Sequence, residues 1–196
     1  MMNERLKKQK EFLLEVDKMK QIYRQTHIRG GKRQENDAEH SWHLALMAPL
    51  LKEYIKDDVN IERVINMVII HDLVEIDAGD TFCYDVEGYK DKAEREQKAA
   101  SRIFNILPKD QADMIFGLWN EFEDMSTPES KYANVLDRLQ PILLNISTDG
   151  RKWLDNGTSR DMVLKRMSVI EDESKELWQL VNDIVDFAVQ KGYLKK

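Results

Sequence analysis

Apolar positions recur along this chain at helical spacing, and alternation never lasts more than a few residues. Leu6, Phe12, Leu13, Val16 and Met19 fall near a helical period, which predicts a helix over 4–21. Gly30-Gly31 interrupts the chain, so "RGGKRQEN" reads as a loop. Asn36 followed by Glu39 has the form of a capping box, and a helix is predicted to start near Asp37. It runs through "AEHSWHLALMAPLLKEYI" and is apolar almost all round, which predicts burial on most faces. Asn60 opens the next helix, "NIERVINMVIIHDLVEI", and "DAGDTFCYDVEGY" is too irregular for either period. A charged helix is predicted from about Lys90 to Leu107, and another from Pro108 to about Phe122. Thr127-Pro128 suits a helix start and leads into "YANVLDRLQPILLNI". "LDNGTSRD" reads as a turn before a last helix from about Ser159 to Gln190. No repeat and no linker is visible. The fold class expected is all-α, one compact helical domain over residues 1–196.

Composition narrows the partners. Charged residues make up 34% of the 196, with a formal net charge of −6. That balance gives no electrostatic case for nucleic acid polymers or anionic membranes. Cys83 is the single cysteine, which excludes an intrachain disulfide and fits a reducing compartment. The first residues, "MMNERLKKQKEFLLEV", lack the apolar segment of a signal peptide. A soluble, cytoplasmic protein with no membrane partner is expected.

Chemistry enters where polar groups interrupt apolar runs. "INMVII" is followed at once by "HDLVEIDAGD", and an unpaired buried carboxylate costs several kcal/mol. His71 and Glu75 stand at i and i+4, on one face of a helix, with Asp72 about a quarter-turn away. His40 lies in the first turn of the earlier helix, and Asp137 sits in the apolar "VLDRLQP". Pro141 leaves the Asp137 carbonyl without its usual helical partner. Two imidazoles and two carboxylates form a mixed set that suits one divalent transition ion (Mn, Co, Fe, Ni or Zn) better than Ca²⁺. Each residue alone has a plainer reading: His71 as a helix-end side chain, Asp137 as a buried hydrogen-bonding group. Their joint order carries the weight.

That order, H…HD…D on successive helices, resembles the HD-domain metal-dependent phosphohydrolases. Within them, "ENDAEHS", "HDLVEIDAGD" and "LDRLQ" resemble the branch of bacterial 5′-deoxynucleotidases, over roughly residues 20–145. The resemblance implies an HD-domain helical bundle with a metal site at its centre, held by His40, His71, Asp72 and Asp137. It implies that Glu75 activates or relays protons to an attacking water, and that Asp80 contacts the nucleotide sugar and assists catalysis. Arg24 matches an arginine that binds the phosphate. The branch tends to carry a tryptophan just after that arginine; here the residues are Gln25, Thr26 and His27. His27 either stacks on a base or is a loop residue. His43 either lines the pocket or packs its helix, and Asp77 either binds a hydroxyl or a second ion or is a solvated acid. A homodimer is also implied, with the helices at 90–122 and 159–190 as candidate contacts.

The function expected is hydrolysis of nucleoside 5′-monophosphates, deoxyribonucleotides in particular, by a metal-activated water. Two rivals stand beside it. One is an HD-type phosphodiesterase or triphosphohydrolase; the other is a catalytically silent metal- or nucleotide-binding module.

Overall fold

The structure, a computed structural model, describes residues 3–84, 87–88 and 90–196. The first helix, α1 (Glu4–Val16), tightens into a 3₁₀ turn at Asp17–Gln21. A small antiparallel hairpin follows, β1 (Tyr23–His27) with β2 (Gln34–Asn36), joined through Gly30 and Gly31 at positive φ. Sequence periodicity missed this hairpin, and "RGGKRQEN" is therefore part strand. Strands of five and three residues are too short to display alternation.

The helix α2 (Asp37–Leu51) starts where its capping box predicts: Glu39 N–H donates to Asn36 Oδ1 at 2.9 Å, and Asn36 N–H to Glu39 Oε2 at 3.2 Å. Burial on most of its faces holds, but one stripe stays open. Trp42, Leu46 and Leu50, at i, i+4 and i+8, are 65%, 47% and 61% exposed. Next come α3 (Ile61–Ile70), a 3₁₀ turn at His71–Val74, and the short α4 (Glu75–Ala78). The expected single helix through "IIHDLVEI" thus tightens where the polar residues begin. Of the irregular loop after it, Asp85, Val86 and Tyr89 lie outside the described residues.

The second half holds α5 (Lys92–Phe104), α6 (Lys109–Asp124) and α7 (Pro128–Ser147). Thr127 caps α7 and Pro128 occupies its first turn, as expected, while Pro141 is accommodated inside the helix. The C-terminal part departs from expectation. "LDNGTSRD" overlaps a short helix, α8 (Arg151–Asn156), and the long last helix is three: α9 (Arg160–Arg166), α10 (Ser168–Glu173) and α11 (Lys175–Lys191). Ser174 explains the last break. Its backbone is extended and its side chain accepts from Leu177 N–H, so it starts a new helix.

The core forms around α7, which packs against α2, α3, α6, α10 and α11. Tyr132 of α7 is fully buried and donates its hydroxyl to the Ala48 carbonyl at 2.7 Å, near the end of α2 where carbonyls lose helical partners. Leu44, Val64, Met67, Val68, Leu136 and Leu139 are likewise sealed from solvent. The motif-bearing elements α2, α3 and α7 therefore meet in one layer, and the hairpin covers the end of α2 that carries His40. Among the described residues, no helix is long and apolar enough to cross a membrane.

Candidate functional site

The four candidate ligands come from three pieces of that layer. His40 is supplied by the first turn of α2, His71 and Asp72 by the 3₁₀ turn, and Asp137 by the middle of α7. Asp137 Oδ1 lies 3.1 Å from His40 Nε2 and 3.7 Å from His71 Nε2. Asp72 Oδ2 lies 3.1 Å from His71 Nε2 and 3.9 Å from His40 Nε2. The two rings are 5.4 Å apart. Four candidate ligand atoms thus converge on one spot, and His40, His71 and Asp72 form a cluster that could hold an ion.

The imidazoles are oriented for that task. His71 Nδ1–H donates to the Val68 carbonyl at 2.9 Å, which leaves Nε2 to the cluster. His71 Nε2 is buried with no hydrogen-bond partner. His40 Nδ1 meets Gln140 Oε1 at 3.1 Å, so its Nε2 also faces inward. An outward N–H bond that fixes the inward lone pair is the usual arrangement for a metal-ligating histidine. The donor set, its burial and the orphaned nitrogen fit a divalent transition ion.

Charge is strongly unbalanced here. Burial and the nearby Arg24 guanidinium lower His40 to about 4. Burial also works against a charged His71, but Asp72 and Asp137 outweigh it and raise the group to about 10. Asp137 and Asp72 are held well below the usual carboxylate range despite burial, Asp137 by both imidazoles and Asp72 by His71 and Arg24. Arg24 reaches this cluster from β1, donating to Asp72 Oδ2 at 2.7 Å and lying 3.5 Å from Asp37 Oδ1.

A second acid group adjoins the first. Ligand atoms of Asp37, Asp72 and Glu75 all lie within 4.8 Å of one another. Burial, then Asp72 and Asp37, pushes the Glu75 carboxyl well above its ordinary value. Asp37 is raised to about 7, by burial first and Asp72 second. Asp37 Oδ2 and Glu75 Oε2 are both buried without partners.

The cluster opens on a cavity of about 300 Å³. Arg24, His71, Asp72, Glu75, Asp80 and Asp137 line it, and so do Phe82, Tyr84, Trp153 and Arg166. Asp80 accepts a hydrogen bond from the Gln25 backbone, and burial raises its carboxyl. His27 is not among the lining residues. It is nearly buried and faces a neighbouring cleft with Tyr23, Arg33 and Arg151. His43 is also off the cavity wall and contacts Gln140 instead. Asp77 pairs with Arg102 of α5, and Arg138 lines the cavity near Met125. Desolvation pushes the Cys83 thiol up to about 11, against a thiolate nucleophile.

Sequence reasoning did not find Glu35, Asp37, Gln140 or Arg166. Gln140 carried a signal: it stands three residues after Asp137 and so shares its helix face. Asp37 looked like an ordinary first-turn acid, and Glu35 and Arg166 lay in polar surroundings that marked nothing.

Comparison with known proteins follows the same residues. The HD-domain family profile matches residues 16–178. A crystal structure described as a predicted metal-dependent phosphohydrolase from Magnetospirillum magnetotacticum superposes with a TM-score of 0.93 at 49% identity, covering 98% of this chain and 96% of that one. The human protein named 5′-deoxynucleotidase HDDC2 is 31% identical over 134 residues, 68% of this chain and 64% of its own length. The chain thus spans somewhat less than two thirds of the curated relatives it matches most strongly. An HD-domain phosphohydrolase from Listeria innocua shares the fold, with a TM-score of 0.61 at 17% identity. With the family profile extending over both histidines and both aspartates, the chain belongs to the HD-domain family.

Proposed function

We propose that this protein is a phosphomonoesterase for nucleoside 5′-monophosphates, deoxyribonucleotides in particular, with His40, His71, Asp72 and Asp137 holding one divalent transition ion. The observation that carries it is the convergence of these four side chains beside a cavity that His71, Asp72 and Asp137 line together with the raised carboxyl groups of Glu75 and Asp80. When bound, such an ion supplies a water of lowered pKa and positive charge beside the phosphoryl oxygens.

The chain's own residues do the rest. Glu75 takes a proton at its carboxylate as the attacking oxygen approaches phosphorus, and burial beside Asp72 and Asp37 raises its affinity for that proton. Asp80, at the cavity wall, accepts a sugar hydroxyl and assists at the leaving oxygen. Arg24 contacts Asp72, while Arg166 approaches Asp137 Oδ2 at 3.9 Å. A phosphate on the cavity side of the ion would therefore have two guanidinium groups, Arg24 and Arg166, on the wall beside it. The base and sugar extend toward Phe82, Tyr84 and Trp153. The cavity is at the small end of ligand sites, which run roughly 300–1,000 Å³. That favours a mononucleotide over the larger substrates of the rival diesterase and triphosphohydrolase readings. The silent-module reading leaves Glu75 beside the ligands without a use.

His27 stacks on a base in this scheme only if it leaves its own cleft, so the aromatic side chains already on the wall are the better platform. The single thiol supports a cytoplasmic setting. A homodimer fits the outward stripe of α2, because residues 41–51 include no charged side chain and pairing about a two-fold axis meets no like-charge repulsion.

A phosphate-release panel over mono-, di-, tri- and cyclic nucleotides tests the reading. Orthophosphate should appear from 5′-monophosphates, vanish on chelation and return with Mn²⁺ or Co²⁺. Turnover insensitive to chelators excludes the mechanism, and release of triphosphate moves the assignment to the rival enzyme.

A further inference from the structure

His43 stands one turn beyond His40 on α2, yet it touches neither the cavity nor the ion-binding cluster. Its partner is Gln140 on α7, a fully buried side chain whose amide meets three groups. Gln140 Nε2 donates to Glu35 Oε1 at 2.7 Å and lies 3.2 Å from His43 Nδ1. Gln140 Oε1 lies 3.1 Å from His40 Nδ1.

A carboxamide has one donor end and one acceptor end. Two groups face the same end of Gln140: the Glu35 carboxylate, which when ionised can only accept, and His43 Nδ1, which accepts there in its Nε2–H tautomer. That end must be the nitrogen. The oxygen is then turned to His40, where only an Nδ1–H can satisfy it. Inverting the amide would set its oxygen 2.7 Å from a carboxylate oxygen, in place of a hydrogen bond. It would also aim an N–H at His40 Nδ1 and drive the ring proton to Nε2, toward Asp137. Glu35 Oε2 reinforces the first arrangement, lying 3.8 Å from His40 Nδ1.

We infer that Glu35, Gln140 and His43 are positioning residues that hold His40 as its Nδ1–H tautomer, so that its Nε2 lone pair stays available to the ion. The inference rests on the reading of His40 as a ligand in the proposed function. It gives the hairpin a purpose, since β2 carries Glu35 to the back of the ligand shell. His71 provides an internal control. Its Nδ1–H is fixed by a single bond to the Val68 carbonyl, with no relay behind it.

The test uses full-length protein with ¹⁵N-labelled histidine. Tautomers are read without metal by long-range ¹H–¹⁵N correlation in alkaline buffer, and Co²⁺ affinity is measured by titration. Glu35→Gln keeps the shape, but its amide can donate or accept and no longer dictates the orientation of Gln140. His40 should then acquire Nε2–H character while His71 stays unchanged. Co²⁺ should bind roughly 10–100-fold more weakly, the usual cost of losing an outer-shell partner. Glu35→Asp, which keeps the charge, should recover part of the affinity, and Gln140→Met should reproduce the loss. If Glu35→Gln retains a pure Nδ1–H His40 and wild-type Co²⁺ affinity, the inference falls while the functional reading stands. Equal disturbance of His71 also overturns it, since that would report a general loss of packing. A wild-type chain that binds no Co²⁺ would end the ligand reading itself.

Discussion

Asp72 and Glu75 are three residues apart and face one cluster, but their work differs. Asp72 Oδ2 stands among the imidazole nitrogens, whereas Glu75 adjoins Asp72 and Asp37 on the far side. Asp72→Ala should therefore lose ion and turnover together. Glu75→Ala should keep the ion and still bind a monophosphate, while turnover falls roughly 10²–10⁴-fold, the worth of a positioned general acid or base. Its fold should survive, because removing this carboxylate relieves repulsion among three buried acids. Elemental analysis and calorimetry on both variants check this; loss of metal from Glu75→Ala would make Glu75 a ligand. The ligands were legible because His71, Asp72 and Asp137 interrupt apolar runs, a placement that demands a partner. Glu35 and Gln140 were not. Their significance arises from a meeting across 105 residues of sequence, which no local pattern encodes.

Helix starts were the most legible elements, since a cap is local chemistry. Asn36 with Glu39, and Thr127 with Pro128, each satisfy backbone N–H groups within four residues of chain. Helix ends and breaks were less so. The turn at His71–Val74 and the restart at Ser174 depend on tertiary packing that a continuing helical period conceals. The Asn36 cap matters twice, because the same first turn presents Asp37 and His40. Asn36→Ala should cost about 0.5–2 kcal/mol. In a domain of this size that lowers the melting temperature by roughly 1–8 °C, at 2–4 °C per kcal/mol. Asn36→Ser, which keeps an acceptor for Glu39 N–H, should recover most of it. Differential scanning calorimetry of the two variants decides the point: an equal loss in both would mean that side-chain capping contributes nothing here.

Across the whole molecule, the net charge of −6 does nothing to draw in a phosphate dianion, so binding depends on the local positive field of the ion, Arg24 and Arg166. The ion should also act on the fold. Its four side chains come from α2, the His71–Val74 turn and α7, segments almost a hundred residues apart in the chain that meet only when the core forms. An ion that binds the folded chain and not the unfolded one stabilises it by mass action, about 2.7 kcal/mol at a free concentration 100 times its Kd. For a domain of 150–250 residues that is a rise in melting temperature of roughly 5–10 °C. Saturating Co²⁺ or Mn²⁺ should therefore raise the wild-type melting temperature by several degrees, and a chelator should reverse the shift. Asp72→Ala should melt at one temperature with or without either ion, because one of the two carboxylates that face both imidazoles is gone. Glu75→Ala should respond like the wild type. A wild-type melt that ignores both ions would remove the metal from this account. A Glu75→Ala melt that ignores them would move Glu75 into the ligand shell and pass the role of base to another carboxylate of the cavity, Asp80 first.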